Sequence, residues 1–342
     1  MKRRLLQAMA GARTGGAEAF FERLVAGMAR AGVMQQVAIR RDAERAGRLR
    51  QAAIEPIELP FGGWFDFVTR RRLRALIAEF RPEVVLSWMN RATEFVPEGD
   101  FVHVARLGGY YDLKYYRRCH HLIANTHGIR AYLIDGGWPA ARTHYLPNFV
   151  DAAPAPAVPR ADLATPEDAP LALALGRLHV NKGFDVLLRA MTELPTLHLW
   201  LAGDGPLEGE LKDLARQLGI ASRVRFLGWR RDTAALLASC DFLVCPSRHE
   251  PLGNVVIEAW AHGRAVVAAA SEGPSELIGH RDTGLLAAVD DVTALATAMR
   301  EIWEDRPLRT RLAEAGRSVY AREFTEAAVV ARYGELLDRV TR

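Results

Sequence analysis

Two carboxylates and a small-residue turn sit in one stretch, Glu250-Pro251-Leu252-Gly253-Asn254-Val255-Val256-Ile257-Glu258. It follows an apolar run, Cys240 to Val244, with the pattern of a buried strand, and it leads into a helical pattern reaching His262. Pro246 and Pro251 break the strand and hold the connection as a loop. Gly253 and Asn254 open the helix, whose first amides and positive dipole end make an anion site. Glu258 lies four residues beyond Asn254 on the same face, and helical side chains lean toward the N-terminus. Its carboxylate therefore points back at whatever the helix end binds. Carboxylates beside an anion site read something other than the anion, and an ionised Glu accepts hydrogen bonds from both hydroxyls of a diol. A ligand carrying a diphosphate and sugar hydroxyls satisfies the whole set. The competing reading leaves Glu250 solvated in a loop and Glu258 as an early-helix carboxylate favoured by the dipole.

A diphosphate also needs cations. Gly176-Arg177-Leu178-His179-Val180-Asn181-Lys182-Gly183 follows a strand candidate, Leu171 to Leu175, and precedes a helix from Phe184 to Met191. Arg177 and Lys182 thus flank a loop at the carboxyl end of a strand, where open α/β sheets bind ligands. The loop lacks the Gly-Lys-Ser/Thr ending of a P-loop. Ala202-Gly203-Asp204-Gly205-Pro206, after the strand Leu197 to Leu201, imitates a dinucleotide turn, but Pro206 and Glu208 spoil it and no ribose-binding acid follows, which excludes NAD. In the first half, Gly15-Gly16 lies between a strand, Arg4 to Ala10, and a helix carrying Phe20, Phe21, Leu24, Val25 and Met28. Such a pair lets a ligand approach the backbone, or is a plain turn. Gly228-Trp229-Arg230 closes another strand; Trp229 or Arg230 stacks on a base, or the Trp packs as wall. His120, His121 and His127 lack metal-ligand spacing and read as structural, so no metal site is expected.

The positioning elements alternate. Strand candidates at Val37–Ile39, Ile54–Leu59, Val84–Trp88, Phe101–Ala105 and His120–Ala124 are separated by helical stretches such as Phe67 to Phe80, the rhythm of a parallel sheet. A Pro/Ala run, Ala152 to Pro159, extends polar to about Pro170 and reads as a linker. It divides residues 1–151 from 152–321, each an α/β unit, and the C-terminus is helical from about Val292 to Val340 with breaks near Pro307 and Phe324. A length of 342 residues suits two cores, and 49% apolar with 25% charged residues is ordinary for a soluble globular chain. No apolar stretch is long enough to span a bilayer and no signal-peptide pattern opens the chain, so a cytoplasmic protein is expected. The cysteines, Cys119, Cys240 and Cys245, read as buried thiols of a reducing compartment. A net charge of +4 does not call for nucleic acid. One basic cluster, Arg70-Arg71-Arg72 with Arg74, is either a solvated helix face or a peripheral contact with an anionic membrane at the inner face of the cytoplasmic membrane.

In combination these motifs resemble the retaining GT-B glycosyltransferases of family 4. The likeness rests on Gly176-Arg177-Leu178 with Lys182-Gly183, on Ala202 to Pro206, and on Glu250 to Ala259. Gly15-Gly16-Ala17-Glu18 and Pro147-Asn148-Phe149-Val150-Asp151 are similar to the N-terminal loop and inter-domain motif, so it covers essentially the whole chain. Gly253-Asn254 and Leu107-Gly108-Gly109-Tyr110-Tyr111 look like lipopolysaccharide-type members. The resemblance implies two Rossmann-like domains facing a cleft, with a C-terminal helix, about residues 322–342, crossing back to the first. It implies a nucleotide-diphosphate-sugar co-substrate, no required cofactor, and a glycan or lipid-linked acceptor. Arg177 and Lys182 would hold the donor diphosphate with backbone of Gly15, Gly16, Gly253 and Asn254; Pro251 and Leu252 complete that loop. Glu258 would bind the ribose and Glu250 the sugar hydroxyls.

Catalysis would then rest on stabilising the leaving diphosphate with Arg177, Lys182 and the helix end. Family members commonly place a His near the transferred sugar, after the strand read here as Phe101 to Ala105. This chain departs from that with Arg106-Leu107-Gly108-Gly109, so His103, inside the strand, is one candidate, and a backbone carbonyl in its place or a role for Arg106 are the alternatives. A nucleotide-sugar epimerase or hydrolase of the same fold, or a binding protein without catalysis, are the alternatives. The sugar, base and acceptor stay open.

Overall fold

The computed structural model describes residues 3–13, 15–63 and 65–341. Met1 and Lys2 of the basic start, Thr14 of the glycine loop and Trp64 in the 61–67 loop lie outside the described residues. The chain forms two compact units, one reaching Phe149 and resumed from Glu326, the other spanning Val150–Thr325.

The first unit runs β1 (Arg4–Met9), α1 (Gly16–Arg30), β2 (Met34–Arg40), α2 (Ala43–Gln51), β3 (Ile57–Leu59), α3 (Phe67–Phe80), β4 (Val84–Trp88), α4 (Met89–Phe95), β5 (Val102–Leu107), β6 (His121–Ala124), α5 (His127–Asp135) and β7 (Thr143–Tyr145). The second runs β8 (Leu171–Leu175), α6 (Phe184–Ala190), β9 (His198–Ala202), α7 (Glu208–Gln217), β10 (Val224–Gly228), α8 (Thr233–Ser239), β11 (Phe242–Cys245), α9 (Asn254–Ala261), β12 (Ala265–Ala269), α10 (Glu272–Leu277), β13 (Leu285–Ala287), α11 (Val292–Glu304) and α12 (Arg306–Glu323). The last helix, α13 (Glu326–Val340), belongs to the first unit.

Both sheets are parallel, in the orders β3-β2-β1-β4-β5-β6-β7 and β10-β9-β8-β11-β12-β13. In each, the order reverses beside the first strand, at β1/β4 and β8/β11, which is the switch point of a doubly wound Rossmann-like sheet. Each unit is thus an α/β layer structure around one parallel sheet, as the alternation in the sequence predicts. The strands are apolar on both faces because helices cover both. On β8, Ala172 and Ala174 pack with α6 and α11, while Leu171, Leu173 and Leu175 pack with α9. Among the described residues no helix is long and apolar enough to cross a membrane.

Several bounds differ from the sequence expectation, each for a local reason. The strand expected from Ile54 pairs only over Ile57–Leu59, since Pro56 has no N–H to give the ladder. The strand expected to end at Ala105 continues to Leu107, so Arg106 lies in the sheet opposite Trp88 and not in a loop. The run read as a linker to Pro170 is docked from Val158 onward: Val158 N–H donates to Ser239 Oγ at 2.8 Å, and Arg160 reaches the Ser239 and Ala169 carbonyls and Asp241.

α13 presents Val329, Tyr333, Leu336 and Leu337 at helical spacing to the core that contains Phe20, Phe21 and Leu24 of α1. Its polar anchor is Arg106, 1% exposed, whose Nε donates to Tyr333 Oη at 3.0 Å and whose Nη2 donates to Asn148 Oδ1. The guanidinium lies 4.6 Å from the Phe20 ring centre and 4.8 Å from that of Trp88. Two neutral acceptors and two aromatic faces thus replace the carboxylate a buried arginine usually takes. Arg106→Ala should therefore destabilise the fold by about 2–4 kcal/mol, and Tyr333→Phe by about 1 kcal/mol. Urea midpoints at unchanged slope measure both.

Candidate active site

At the switch point of the second sheet, β8 and β11 are hydrogen-bonded neighbours, with Ala172 opposite Phe242 and Leu173 opposite Leu243. Their carboxyl ends deliver the 176–183 and 246–253 loops to the same edge. Backbone contacts then fasten one loop to the other. The Asn181 carbonyl accepts from Arg248 N–H at 2.8 Å and from His249 N–H at 3.2 Å. Gly183 has φ +62°, and a Cβ there would run into the Pro246 carbonyl. Only glycine permits both the conformation and the approach. Gly203 plays the same part beneath, at φ +150°, against the Gly176 carbonyl. The Ala202–Pro206 motif is thus a packing device that supports the 176–178 turn, with Leu178 N–H donating to the Asp204 carbonyl at 2.7 Å.

On this scaffold Lys182 Nζ ion-pairs with Glu250 Oε2, both side chains half-buried, and Ser247 Oγ donates to the same oxygen at 3.3 Å. Arg177, one residue beyond Gly176, is exposed and has no side-chain partner among the described residues. Gly253, at φ +84°, caps α9, so the helix end opens directly after Glu250-Pro251-Leu252. Leu252 is buried and Pro251 and Asn254 are half-buried. Glu258 is half-buried one turn into α9. One unit therefore brings together an ion pair, an exposed guanidinium and a helix end of positive dipole. Chemically, this arrangement suits an anion flanked by hydroxyl groups.

Two groups that sequence reasoning passed over hold the Glu250 loop. Arg248 forms a fork with Asp185, 2.7 Å on each arm, and reaches Asp290 Oδ1 at 2.5 Å. The hydrogen bonds to Asp185 raise the guanidinium pKa further and lower that of Asp185. Glu272, at the start of α10, accepts from Glu250 N–H at 3.2 Å and pairs with His249 Nδ1 at 2.7 Å. The only sequence signal for these was a conspicuously charged loop; their partners are 63 and 22 residues away.

Burial pushes the Cys245 thiol up to about 11, with Glu250 adding to the effect, so it stays protonated beside the site. Trp229 is exposed at the carboxyl end of the edge strand β10, and Arg230 is held by Asp232 at 2.5 Å.

The remaining candidates belong to the first unit. Gly15 and Gly16 are exposed at the start of α1, above the Glu18 carboxylate, whose Oε1 accepts from Ala12 N–H at 2.8 Å. His103 requires correction as a catalytic candidate. It is the second residue of β5, at the amino end of the strand, opposite to the edge where such sheets bind ligands. Its ring is buried, with Nε2 at 2.8 Å from Ser87 Oγ and Nδ1 at 3.8 Å from Cys119 Sγ. Burial, then His120 and Arg118, lower its pKa to about 3, so it is a neutral core histidine. His144, within 3.0 Å of His121, is likewise lowered to about 4, by burial first and then by His121. Both rings stay neutral in the fold while the unfolded chain binds protons near pH 6.5. Their contribution to stability is full above pH 6.5 and is lost as pH falls toward 4 and then 3. Urea titrations should show this loss, and His103→Asn with His144→Gln should flatten it.

The model described as "Glycosyl transferases group 1" matches residues 159–319, and that described as "Glycosyltransferase Family 4" matches residues 14–153. Two proteins of Rhizobium meliloti strain 1021 are similar over nearly their full lengths. The lipopolysaccharide core biosynthesis glycosyltransferase LpsE is 38% identical, over 94% of this chain and 96% of its own. Its counterpart LpsD is 36% identical, over 95% of each. Among solved structures, Anabaena HepE in complex with UDP and glucose has a TM-score of 0.85 at 22% identity, over 98% of this chain and all of its own.

Proposed function

The chain belongs to the glycosyltransferases of group 1 and family 4, and from that membership we propose that it moves a sugar, with retention, from a nucleotide-diphosphate-sugar to a saccharide or lipid-linked acceptor. The observation that carries the donor assignment is the Lys182–Glu250 pair beside exposed Arg177 at the β8/β11 switch point. A diphosphate draws the Lys182 ammonium and the Arg177 guanidinium, and the end of α9 adds dipole charge. Glu250, paired with the Lys182 ammonium, accepts from sugar hydroxyls; Glu258 takes the ribose. Pro251 and Leu252 shape the floor, and Trp229 with Arg230 is the base-contact candidate.

In the transfer, the bond from the anomeric carbon to the diphosphate oxygen breaks and the acceptor oxygen bonds to that carbon on the same face. The acceptor proton passes to the departing diphosphate oxygen. Negative charge grows on the diphosphate, where Arg177, Lys182 and the helix end meet it without reorganising. These cations make a metal unnecessary in this reading. The Rhizobium relatives suggest lipopolysaccharide core assembly as the setting, and the UDP and glucose of the Anabaena structure make uridine the base to try first. Three buried free thiols suit the cytoplasm.

Thermal melts with UDP, GDP and ADP, without metal, test the donor site. A nucleotide at a hundred times its dissociation constant adds about 2.7 kcal/mol to the stability of the folded chain. The shift should occur for one base and vanish in Lys182→Ala, whose kcat should fall about a hundred- to a thousandfold. No shift with any of the three would remove the assignment. Retention is checked by the anomeric coupling constant of the product.

Glu272 touches no proposed reacting atom and acts by positioning Glu250. Glu272→Ala should lower kcat with less change in nucleotide affinity, and Glu272→Gln should restore part of the loss by again accepting from Glu250 N–H. Equal losses of kcat and nucleotide binding in Glu272→Ala would count against a positioning role.

A further inference from the structure

The carboxyl edge of the first sheet carries a recess that the donor reading does not use. It is about 680 Å³ in volume, and Arg13, Arg41, Asp42, Ala43, Glu44 and Glu58 line it. Arg13 follows β1, Arg41 follows β2 and Glu58 lies on β3, so three neighbouring strands deliver it to the edge where doubly wound sheets bind ligands. Its acids are already engaged by groups outside it. Asp42 Oδ1 accepts from Arg45 N–H at 3.0 Å, Glu44 lies 3.8 Å from Arg48, and Glu58 lies 3.4 Å from Arg50. Its arginines are not. Arg13 and Arg41 are exposed, and neither guanidinium has an ion pair or hydrogen bond among the described residues.

The main chain beneath both arginines is held while their side chains stay free. Arg45 is fully buried, with Nε 3.2 Å from Glu22 Oε1, and its Nη2 donates to the Ala12 carbonyl at 2.5 Å and the Arg13 carbonyl at 3.3 Å. Ala12 N–H donates in turn to the buried Glu18 carboxylate at 2.8 Å. Arg41 N–H donates to the Leu59 carbonyl at 3.0 Å. Burying a guanidinium and a carboxylate beneath an exposed loop is costly, and a plain surface turn has no need of it. Such support lowers the ordering cost of a ligand contact. Two unengaged planar forks match a carboxylate or a phosphate. The neighbouring acids keep lone pairs for hydroxyl groups, and Ala43 is the one apolar residue among the described lining. The recess therefore suits a charged, hydroxyl-rich ligand and not an aromatic ring or an acyl chain.

We propose that this recess receives the acceptor, and that the acceptor is an anionic saccharide whose carboxylate or phosphate meets Arg13 and Arg41 while its hydroxyls donate to Asp42 and Glu58. Its role as acceptor rests on the proposed transfer; the anion site itself is read from the first unit alone. Failure of the donor site would leave the anion site standing, and failure of the anion site would leave the donor site standing.

Ligand-observed NMR of the full chain with glucuronate, glucose 6-phosphate and glucose tests it, beside the thermal melts with nucleotides. At least one of the two anionic sugars should bind and glucose should not; the tighter of the two identifies the group as carboxylate or phosphate. Arg13→Ala with Arg41→Ala should weaken that binding about a hundredfold, taking about tenfold for each guanidinium. The nucleotide shift should be unchanged in this pair. Lys182→Ala should show the reverse, losing the nucleotide shift and keeping the anionic sugar. Both arginines are exposed, so the melting temperature of the free chain should not move. Binding of neither anionic sugar, equal binding of glucose, or undiminished affinity in the double variant would overturn the proposal. So would the same loss from Arg71→Ala with Arg74→Ala, exposed arginines of α3 outside the recess. Loss of the nucleotide shift in Arg13→Ala with Arg41→Ala would overturn it too, by assigning the recess to the donor phosphates. Anionic-sugar binding without a shift from any nucleotide would leave an anion site and remove its role as acceptor subsite.

Discussion

The Lys182–Glu250 ion pair is the constraint around which the second unit is built. The two residues are 68 positions apart, and a half-buried carboxylate beside an anion-accepting helix end is tolerable only with a cation on it. Bringing them together requires that β8 and β11 be neighbours, which a doubly wound order provides at its switch point. It also requires that the loops beyond those strands lie closer than side chains allow. Glycine at 183 and the shared Asn181 carbonyl meet that demand. The topology brings the loops to one edge, and the glycine contact sets their distance.

What surrounds the pair is a division between rigid supports and accessible tips. Arg248, forked onto Asp185 and reaching Asp290, ties the 246–250 loop to α6 and to the turn before α11. Glu272 fixes the Glu250 backbone from the other side. The Glu272 bond holds main chain while the Arg248 bonds join side chains, and neither engages the Glu250 carboxylate itself, which is only partly buried. Arg177 is not tied to any described side chain, which agrees with the diphosphate-binding role proposed for it. Positioning by second contacts, with a solvent-facing functional group, is the arrangement that costs least reorganisation when charge develops.

Legibility in the sequence followed locality. The 250–258 stretch could be read because strand end, loop, cap and helix face are contiguous, so spacing alone fixes which side chains share a direction. Both sheets were legible as alternating runs, since parallel strands covered on both faces are continuously apolar. The Arg248–Asp185 fork was not legible, because nothing in either segment states its partner. His103 misled for a related reason: a histidine in a strand looks the same at either end, and only the register, Val85 opposite His103, shows it at the amino end. The docked 158–169 segment misled because its Pro and Ala content resembles a linker, while its anchors, Ser239 and Asp241, lie on distant elements.

Arg106 shows the same physics from the opposite side. In the second unit a cation is kept near water and paired with a carboxylate that a ligand can reach. In the first, a cation is fully buried with no carboxylate at all. A buried acid in its place would have required a second desolvation penalty. Phe20, Trp88, Tyr333 and Asn148 instead spread the charge over rings and neutral oxygens that are already part of the core. Three of those four partners come from α1, β4 and α13, and the fourth precedes the passage into the second unit. One guanidinium thereby couples the first helix, the sheet and the last helix. Arg106, which the sequence placed in a loop, is in this chain a structural keystone, and its partners at Asn148 and Tyr333 are too distant in sequence for spacing to have shown that role.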